Sequence, residues 1–398
     1  MQVLDSSYNS ENRVAYLSTY PPKKCGIATF TRDLINAIGE FDEFDPAVIA
    51  INETQAKYNY DKRVKLIIDR NSIDDYIQAA EYVNSSNIKL VNLQHEFGLF
   101  GGDYGENIRY FLDQVKKPVV TTLHTVEPDF SEKALETLNS IASNSAAIVV
   151  ITYTAADILK NQGITHENFV VIPHGCPRVG FSSNNSTIKE SLGLKNRLIM
   201  STFGLLSKGK GIEYAIRALP HVLKKERRVL YMIIGETHPE VRKHEGEKYR
   251  NKLVRLVKKL GLEEHVKFEN RYLSNSEVTK YLQATDIYIT PYISSNQISS
   301  GTLAYALGAG KAVVSTPYLY AQETLSNNRG LFCKFKDPAS IAKSIVKLLD
   351  VRFRSAIQRN AYNYSRRFLW SNVARNYVSL FKTVTNNNGL IPIEATVY

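Results

Sequence analysis

DIYITPYISSNQISSGTLAYALGAGKAVVSTPYLYAQE, from Asp286 to Glu323, reads as a single strand, loop, helix and strand unit. Ile287 to Pro291 has the β-branched and aromatic content of a buried strand, and a polar loop with Asn296, Gln297, Ser299, Ser300 and Gly301 follows it. The chain then becomes helical from about Thr302 to Leu307 and stops at Gly308 and Gly310. Ala312 to Thr316 forms the next strand, leading through Pro317 to a short helix that carries Glu323. Such a βαβ unit places its loop at the carboxyl end of a strand. There the free N–H groups and the positive end of the helix dipole suit a phosphate, although the same Ser/Gly turn also serves as a plain helix cap.

The same alternation extends outward in both directions. Towards the N-terminus, strands are expected at Arg13–Ser18, Ala47–Ile51, Val64–Ile68, Ile88–Leu93, Pro118–Leu123, Ala146–Thr152 and Phe169–Pro173, with helices between most of them. The first strand leads into TYPPKKCGIA, where Pro21 and Pro22 give a rigid extended segment, Gly26 permits close backbone approach and Thr29 can cap the helix. Polar residues gather just past the strand ends: Gln94-His95-Glu96, His124 and His174-Gly175. Cys176–Ser191 turns polar and is expected as a linker, after which strands resume at Arg197–Phe203, Val229–Ile234 and Val266–Glu269. The loop Gly204–Gly211 carries three glycines with Lys208 and Lys210 ahead of a helix at about Ile212–Leu223. Gly211 stands where a Walker A loop needs Ser or Thr, so this is a different phosphate loop.

Length supports two domains, since 398 residues exceed one ordinary core. We expect residues 1–185 as the first, 186–369 as the second, a terminal helix at 370–385 and a tail at 386–398. Hydrophobic residues at 43% and charged residues at 22% are those of a soluble globular chain. No stretch approaches a membrane span, and the three cysteines are too widely spaced for a zinc site or a disulfide framework. A cytoplasmic location is therefore expected. Net charge is +11 but unevenly placed: residues 1–185 hold 16 basic and 23 acidic residues, the remainder 34 and 16. A basic second half fits a polyanionic small ligand such as a nucleoside diphosphate. Nucleic acid is not expected, because no basic motif with stacking aromatics is present.

These motifs, in this order, resemble a family 4 (group 1) retaining glycosyltransferase of the GT-B fold, over about residues 13–383. They include the Pro-Pro loop with Gly26, the strand end at His124, Ile172-Pro173-His174-Gly175, Gly204 with Lys210-Gly211, Gly235-Glu236, Gly310-Lys311-Ala312-Val313-Val314 and Trp370-x-x-Val373-Ala374. The resemblance implies an α/β architecture of two Rossmann-like doubly wound parallel-sheet domains facing across a cleft, with the last helix returning to the first domain. It implies transfer, without a metal or other cofactor, of a sugar from a nucleotide-diphosphate sugar to a sugar, glycan or lipid-linked acceptor, with at most peripheral membrane contact. His124, Lys210 and Gln297 are then expected at the reaction. The donor is expected to meet Gly26, Gly204, Lys208, Glu236, Arg271, Tyr272, Ser299, Ser300, Gly301, Thr302, Tyr305 and Glu323, with His95 and Glu96 on the acceptor side. Two departures stand out. The family's paired glutamates fall on Gln297 and Tyr305, and its Arg after the first loop glycine falls on Leu205. Gln297 keeps an acceptor but loses the charge. A non-catalytic nucleotide-sugar-binding partner subunit with a degenerate motif is the alternative reading.

Overall fold

The computed structural model describes residues 12–181 and 186–386. The chain forms two compact units, Met1–Gly175 with Trp370–Tyr398, and Cys176–Leu369.

The first unit is built on strands Arg13–Ser18 (β1), Asp45–Asn52 (β2), Val64–Asp69 (β3), Ile88–His95 (β4), Val119–Leu123 (β5), Ala147–Val150 (β6) and Phe169–Val171 (β7). They form one parallel sheet in the order β3-β2-β1-β4-β5-β6-β7. Helices cover the sheet, so its strands read as nearly unbroken Val/Ile/Leu runs, as both-face burial demands. The helix Trp370–Thr385 packs beside the helix Gly26–Gly39. Val373, Ala374, Tyr377, Val378 and Phe381 repeat at three- and four-residue spacing and enter one core with Phe30, Leu34 and Ile38.

The second unit carries Leu198–Phe203 (β8), Val229–Ile234 (β9), Val266–Glu269 (β10), Ile287–Thr290 (β11), Ala312–Ser315 (β12) and Leu331–Phe332 (β13), parallel and ordered β10-β9-β8-β11-β12-β13. Alternate residues separate onto its two faces. Met200, Tyr231 and Ile233 join the larger core with the helices Ile212–Leu223, Lys248–Lys259 and Pro338–Lys347, while Ile199, Leu230, Met232 and Ile234 form a smaller one with Leu273.

Several sequence expectations need correction. The first helix starts at Gly26, so Thr29 lies inside it and its hydroxyl donates back to the Cys25 carbonyl rather than capping. The Pro21–Pro22 bond is cis. The helix Asn275–Ala284 went unread although Ser274 and Glu277 form a capping box at its start. The division between units falls at Gly175/Cys176 rather than 185/186. The reason is local bonding: Cys176 N–H donates to the Phe368 carbonyl, Tyr362 hydroxyl donates to the Val179 carbonyl, and Phe181 meets the Tyr362 ring at 5.1 Å. Residues 182–185 of the expected linker and 387–398 of the expected tail lie outside the described residues.

Candidate functional site

In the second unit the strand order reverses between β8 and β11, and at such a switch point the strands' carboxyl ends leave a crevice. The loops entering it are held together through glycines. A Cβ on Gly235, at φ 128°, would lie 2.1 Å from the Gly204 carbonyl oxygen, and one on Gly211, at φ 61°, would lie 2.1 Å from that of Pro291. Neither clash involves a side chain that could move aside.

Within this frame Lys210 is half-buried, and its Nζ donates to the Tyr292 hydroxyl at 2.7 Å while lying 4.2 Å from that ring's centroid. The same hydroxyl lies 3.0 Å from Thr302 Oγ1, which is 3.3 Å from Ser300 Oγ. Burial alone would push the Tyr292 phenol up, but Lys210, as charge and as donor, with the Thr302 and Ser300 hydroxyls, brings it below the ordinary value. Tyr292 also stacks on Tyr318 at 5.0 Å. The helix Gly301–Gly308 begins at this cluster. Ser300 Oγ accepts from Leu303 N–H and the Ser300 carbonyl accepts from Ala304 N–H. Helix geometry leaves the N–H groups of Gly301 and Thr302 at the open end of the first turn. A cation, three hydroxyls and a helix N-terminus thus converge in a form able to hold an anion.

Other expected residues take different positions. Lys208 is exposed and pairs with Glu245 at 2.7 Å, and Arg271 pairs with Glu269 at 2.7 Å and Glu277 at 2.5 Å. Both are engaged with carboxylates of their own surroundings rather than gathered around Tyr292. Tyr272 is 40% exposed. Gln297 donates from Nε2 to the Ser299 carbonyl at 2.9 Å, so it braces the loop that leads into the helix. Tyr305 is buried and meets Phe203 at 6.3 Å. Glu323 lies half-buried on the helix Leu319–Leu325, and Glu236 is buried with Arg242 at 3.6 Å. Arg250, which the sequence reading passed over, is 6% exposed and donates to the Gly235 carbonyl at 2.6 Å, fixing the loop after β9. Its signal was an arginine inside the apolar stripe Tyr249, Leu253, Leu256, Val257. Tyr292, just past the expected strand Ile287–Pro291, carries no local signal that sets it apart from a buried core tyrosine.

In the first unit the reversal lies between β1 and β4. Gly26 is the first residue of its helix, and a Cβ there would meet open space. His124, just past β5, is 5% exposed, lies edge-on to Phe30 at 4.7 Å, and its Nε2 is 2.7 Å from Gln94 Oε1. Burial, then His174 and His95, pushes its pKa down to about 3. His95, expected on the acceptor side, is instead fully buried. It stacks on Phe100 at 5.6 Å and meets Phe97 at 5.1 Å, with neither ring nitrogen hydrogen-bonded, and burial lowers its pKa to about 3. The alternation of β4 turns it into the core. Glu96 points the other way: half-buried beside Gly98, its carboxyl is raised by desolvation and drawn down by the Gly98 N–H. Among the described residues no group of three or more His, Cys, Asp or Glu gathers to hold a metal ion, and no helix is long and apolar enough to cross a membrane.

Residues 184–366 match the family described as glycosyl transferases group 1. Over its second unit the chain resembles the group 1 glycosyl transferases. An uncharacterized glycosyltransferase of Methanocaldococcus jannaschii is 25% identical over 247 residues, 60% of this chain and 59% of that protein. A glycosyltransferase from Rickettsia africae superposes with a TM-score of 0.74 at 18% identity, covering 96% of this chain and all of that one. Anabaena HepE, solved with UDP and glucose, gives 0.73 at 16% identity, over 93% and 99% of the two chains. At such identities the likeness is one of fold, and that fold is GT-B: two parallel-sheet Rossmann-like units, here of seven and six strands.

Proposed function

We propose that this chain is a retaining, metal-independent glycosyltransferase that moves a sugar from a nucleoside-diphosphate sugar to an acceptor hydroxyl in glycan or polysaccharide synthesis. The observation that carries this reading is the convergence of Lys210, the Tyr292, Thr302 and Ser300 hydroxyls and the start of the helix Gly301–Gly308 at the switch point of the second sheet. A departing diphosphate gains negative charge as the sugar bond breaks. A fixed ammonium and a helix N-terminus stabilise that charge more in the transition state than before it. The leaving phosphate can accept the acceptor's proton, so the scheme asks for no strong base. That agrees with Gln297 and Tyr305 standing where the resembled family has carboxylates. In this reading His124 meets the transferred sugar and Glu96 the acceptor. That HepE was solved with UDP and glucose supports a nucleotide-sugar donor.

The test is to incubate purified protein with UDP-, GDP- and ADP-sugars, with and without chelator and simple sugar acceptors, and to measure nucleotide release and product anomer. Release that survives chelation, with retained configuration, is the expected result. Tight binding of one nucleotide sugar without any turnover would favour a non-catalytic binding subunit.

A further inference from the structure

At the carboxyl edge of the first sheet a cavity of 360 Å³ opens around Arg70. Arg70 follows β3, and the loop after β4 comes to it although β2 and β1 lie between those strands. The Arg70 carbonyl accepts from the Tyr76 hydroxyl and from Asn107 Nδ2, each at 3.1 Å, and a Cβ at Gly101 would stand 2.1 Å from the same oxygen. The loop therefore packs directly on the chain at Arg70 and fixes where its side chain starts. The guanidinium is held less completely. Nη1 donates to the Gly98 carbonyl at 3.2 Å, Nε is enclosed without a partner, and Nη2 is neither enclosed nor hydrogen-bonded. Among the described residues no carboxylate pairs with it, although residues 1–185 hold 23 acidic side chains against 16 basic. Phe97, Phe100 and Tyr104 supply the aromatic wall. Tyr104 is 47% exposed, perpendicular to Phe97 at 5.9 Å, and held at φ 53° between Gly102 and Gly105. Phe97 and Phe100 pack on His95, whose carbonyl accepts from His124 N–H at 3.0 Å, so the inner wall is continuous with that strand end.

We propose that this cavity is an acceptor subsite for an acidic sugar unit, with Arg70 pairing with its carboxylate or phosphate and Tyr104 carrying its ring. The proposal rests on the reading of the first unit as the acceptor side. A planar guanidinium with an open edge matches either anion through parallel hydrogen bonds, and partial burial strengthens the attraction relative to a fully solvated pair. An exposed phenol offers an apolar face and a hydroxyl together, which are the two kinds of surface a sugar ring presents. The volume lies at the low end of small-ligand pockets, about 300–1,000 Å³, and suits a single sugar unit.

The test is titration of full-length protein, followed by saturation-transfer NMR, with methyl glucoside, methyl glucuronide and glucose 6-phosphate. Both acidic sugars, or one of them, should bind at least about 10-fold more tightly than the neutral one; the tighter of the two identifies the anion as carboxylate or phosphate. Arg70→Gln keeps an amide donor for the Gly98 carbonyl but removes the charge, and should abolish that preference. Equal binding of all three sugars, or a preference that survives in folded Arg70→Gln, overturns the proposal. Tyr104→Gly removes the ring at a backbone angle that suits glycine, so it reports even if Arg70→Gln does not fold. It should weaken all three sugars several-fold alike, and unchanged acidic-sugar binding overturns the proposal. Lys210→Met should leave acidic-sugar binding as it is; loss there would put the anion at the second unit's cluster instead and also overturns it. Donor turnover separates the two levels of the reading. Arg70-dependent binding in a protein that turns over no nucleotide sugar keeps the acidic-sugar site and removes the transfer reading, whereas turnover with neutral and acidic acceptors at the same KM, unaltered by Arg70→Gln, removes the subsite alone.

Discussion

Replacing Lys210 by Met keeps the apolar stem but removes the ammonium from the helix start. The structure gives two separable consequences. For the unliganded protein, the loss is one hydrogen bond to the Tyr292 hydroxyl at 2.7 Å and one cation–ring contact at 4.2 Å. Tyr292 keeps Thr302 as a partner, so the cost should be about 1–2 kcal/mol and the fold should persist. For a bound diphosphate, the loss is a charge-assisted contact of about 1.5–3 kcal/mol, which corresponds to a roughly 10- to 150-fold weaker Kd. The assay is calorimetric titration with UDP, GDP and ADP, beside a thermal-unfolding control. Tyr292→Phe serves as the companion variant, since it removes the tether and leaves the charge. It should weaken nucleotide binding several-fold less than Lys210→Met. A Lys210→Met protein that is folded and binds the same nucleoside diphosphate with wild-type affinity would refute the reasoning, because the anion would then lie away from this cluster.

Gly301→Val should abolish nucleotide binding while leaving the unfolding temperature nearly unchanged, because the added side chain stands over the exposed first-turn N–H groups; normal binding would place the phosphate elsewhere. Gln297→Glu sets a carboxylate against the Ser299 carbonyl in place of a donor, and should lower both loop stability and nucleotide affinity by about 1–3 kcal/mol. Wild-type behaviour in denaturant titration and calorimetry would show that contact to be idle. The buried histidines predict acid sensitivity. His95 and His124 each fall to about 3 when folded, so the unfolded chain binds more protons between about pH 6.5 and 3, and stability decreases as pH drops through that window by about 1.4 kcal/mol per pH unit for each. His95→Phe fits the stack with Phe97 and Phe100 and should flatten the pH slope of the denaturation midpoint; an unaltered slope would contradict neutral burial.

The distance between sequence and structure is uneven and has physical causes. Ile212–Leu223, Val229–Ile234 and Val266–Glu269 were legible to the residue, because period, chain reversal signals and β-branched content are all local properties. So was the placement of Gly204, Lys210 and Ser300 between a strand end and the next long helix, with Thr302 in the first turn of such a helix. Even the helix Asn275–Ala284 was signalled, through its Ser274 and Glu277 box.

What the tertiary structure alone decided was partnership. Lys210 and Tyr292 are separated by 82 positions in the chain, and become neighbours only because the sheet order reverses so that β11 lies beside β8. No local pattern distinguishes a strand-end tyrosine that fills a core from one that tethers a lysine. The same holds in the first unit. Gln94, His95 and Glu96 are consecutive, yet the two-residue alternation sends Gln94 to a hydrogen bond with His124 and His95 into a stack of phenylalanines, leaving Glu96 half-buried beside Gly98. Sequence determined which residues stand just past the carboxyl ends of the strands. Which of them face into it depends on strand neighbours and covering helices, and those are set by the packing of segments far apart in the chain.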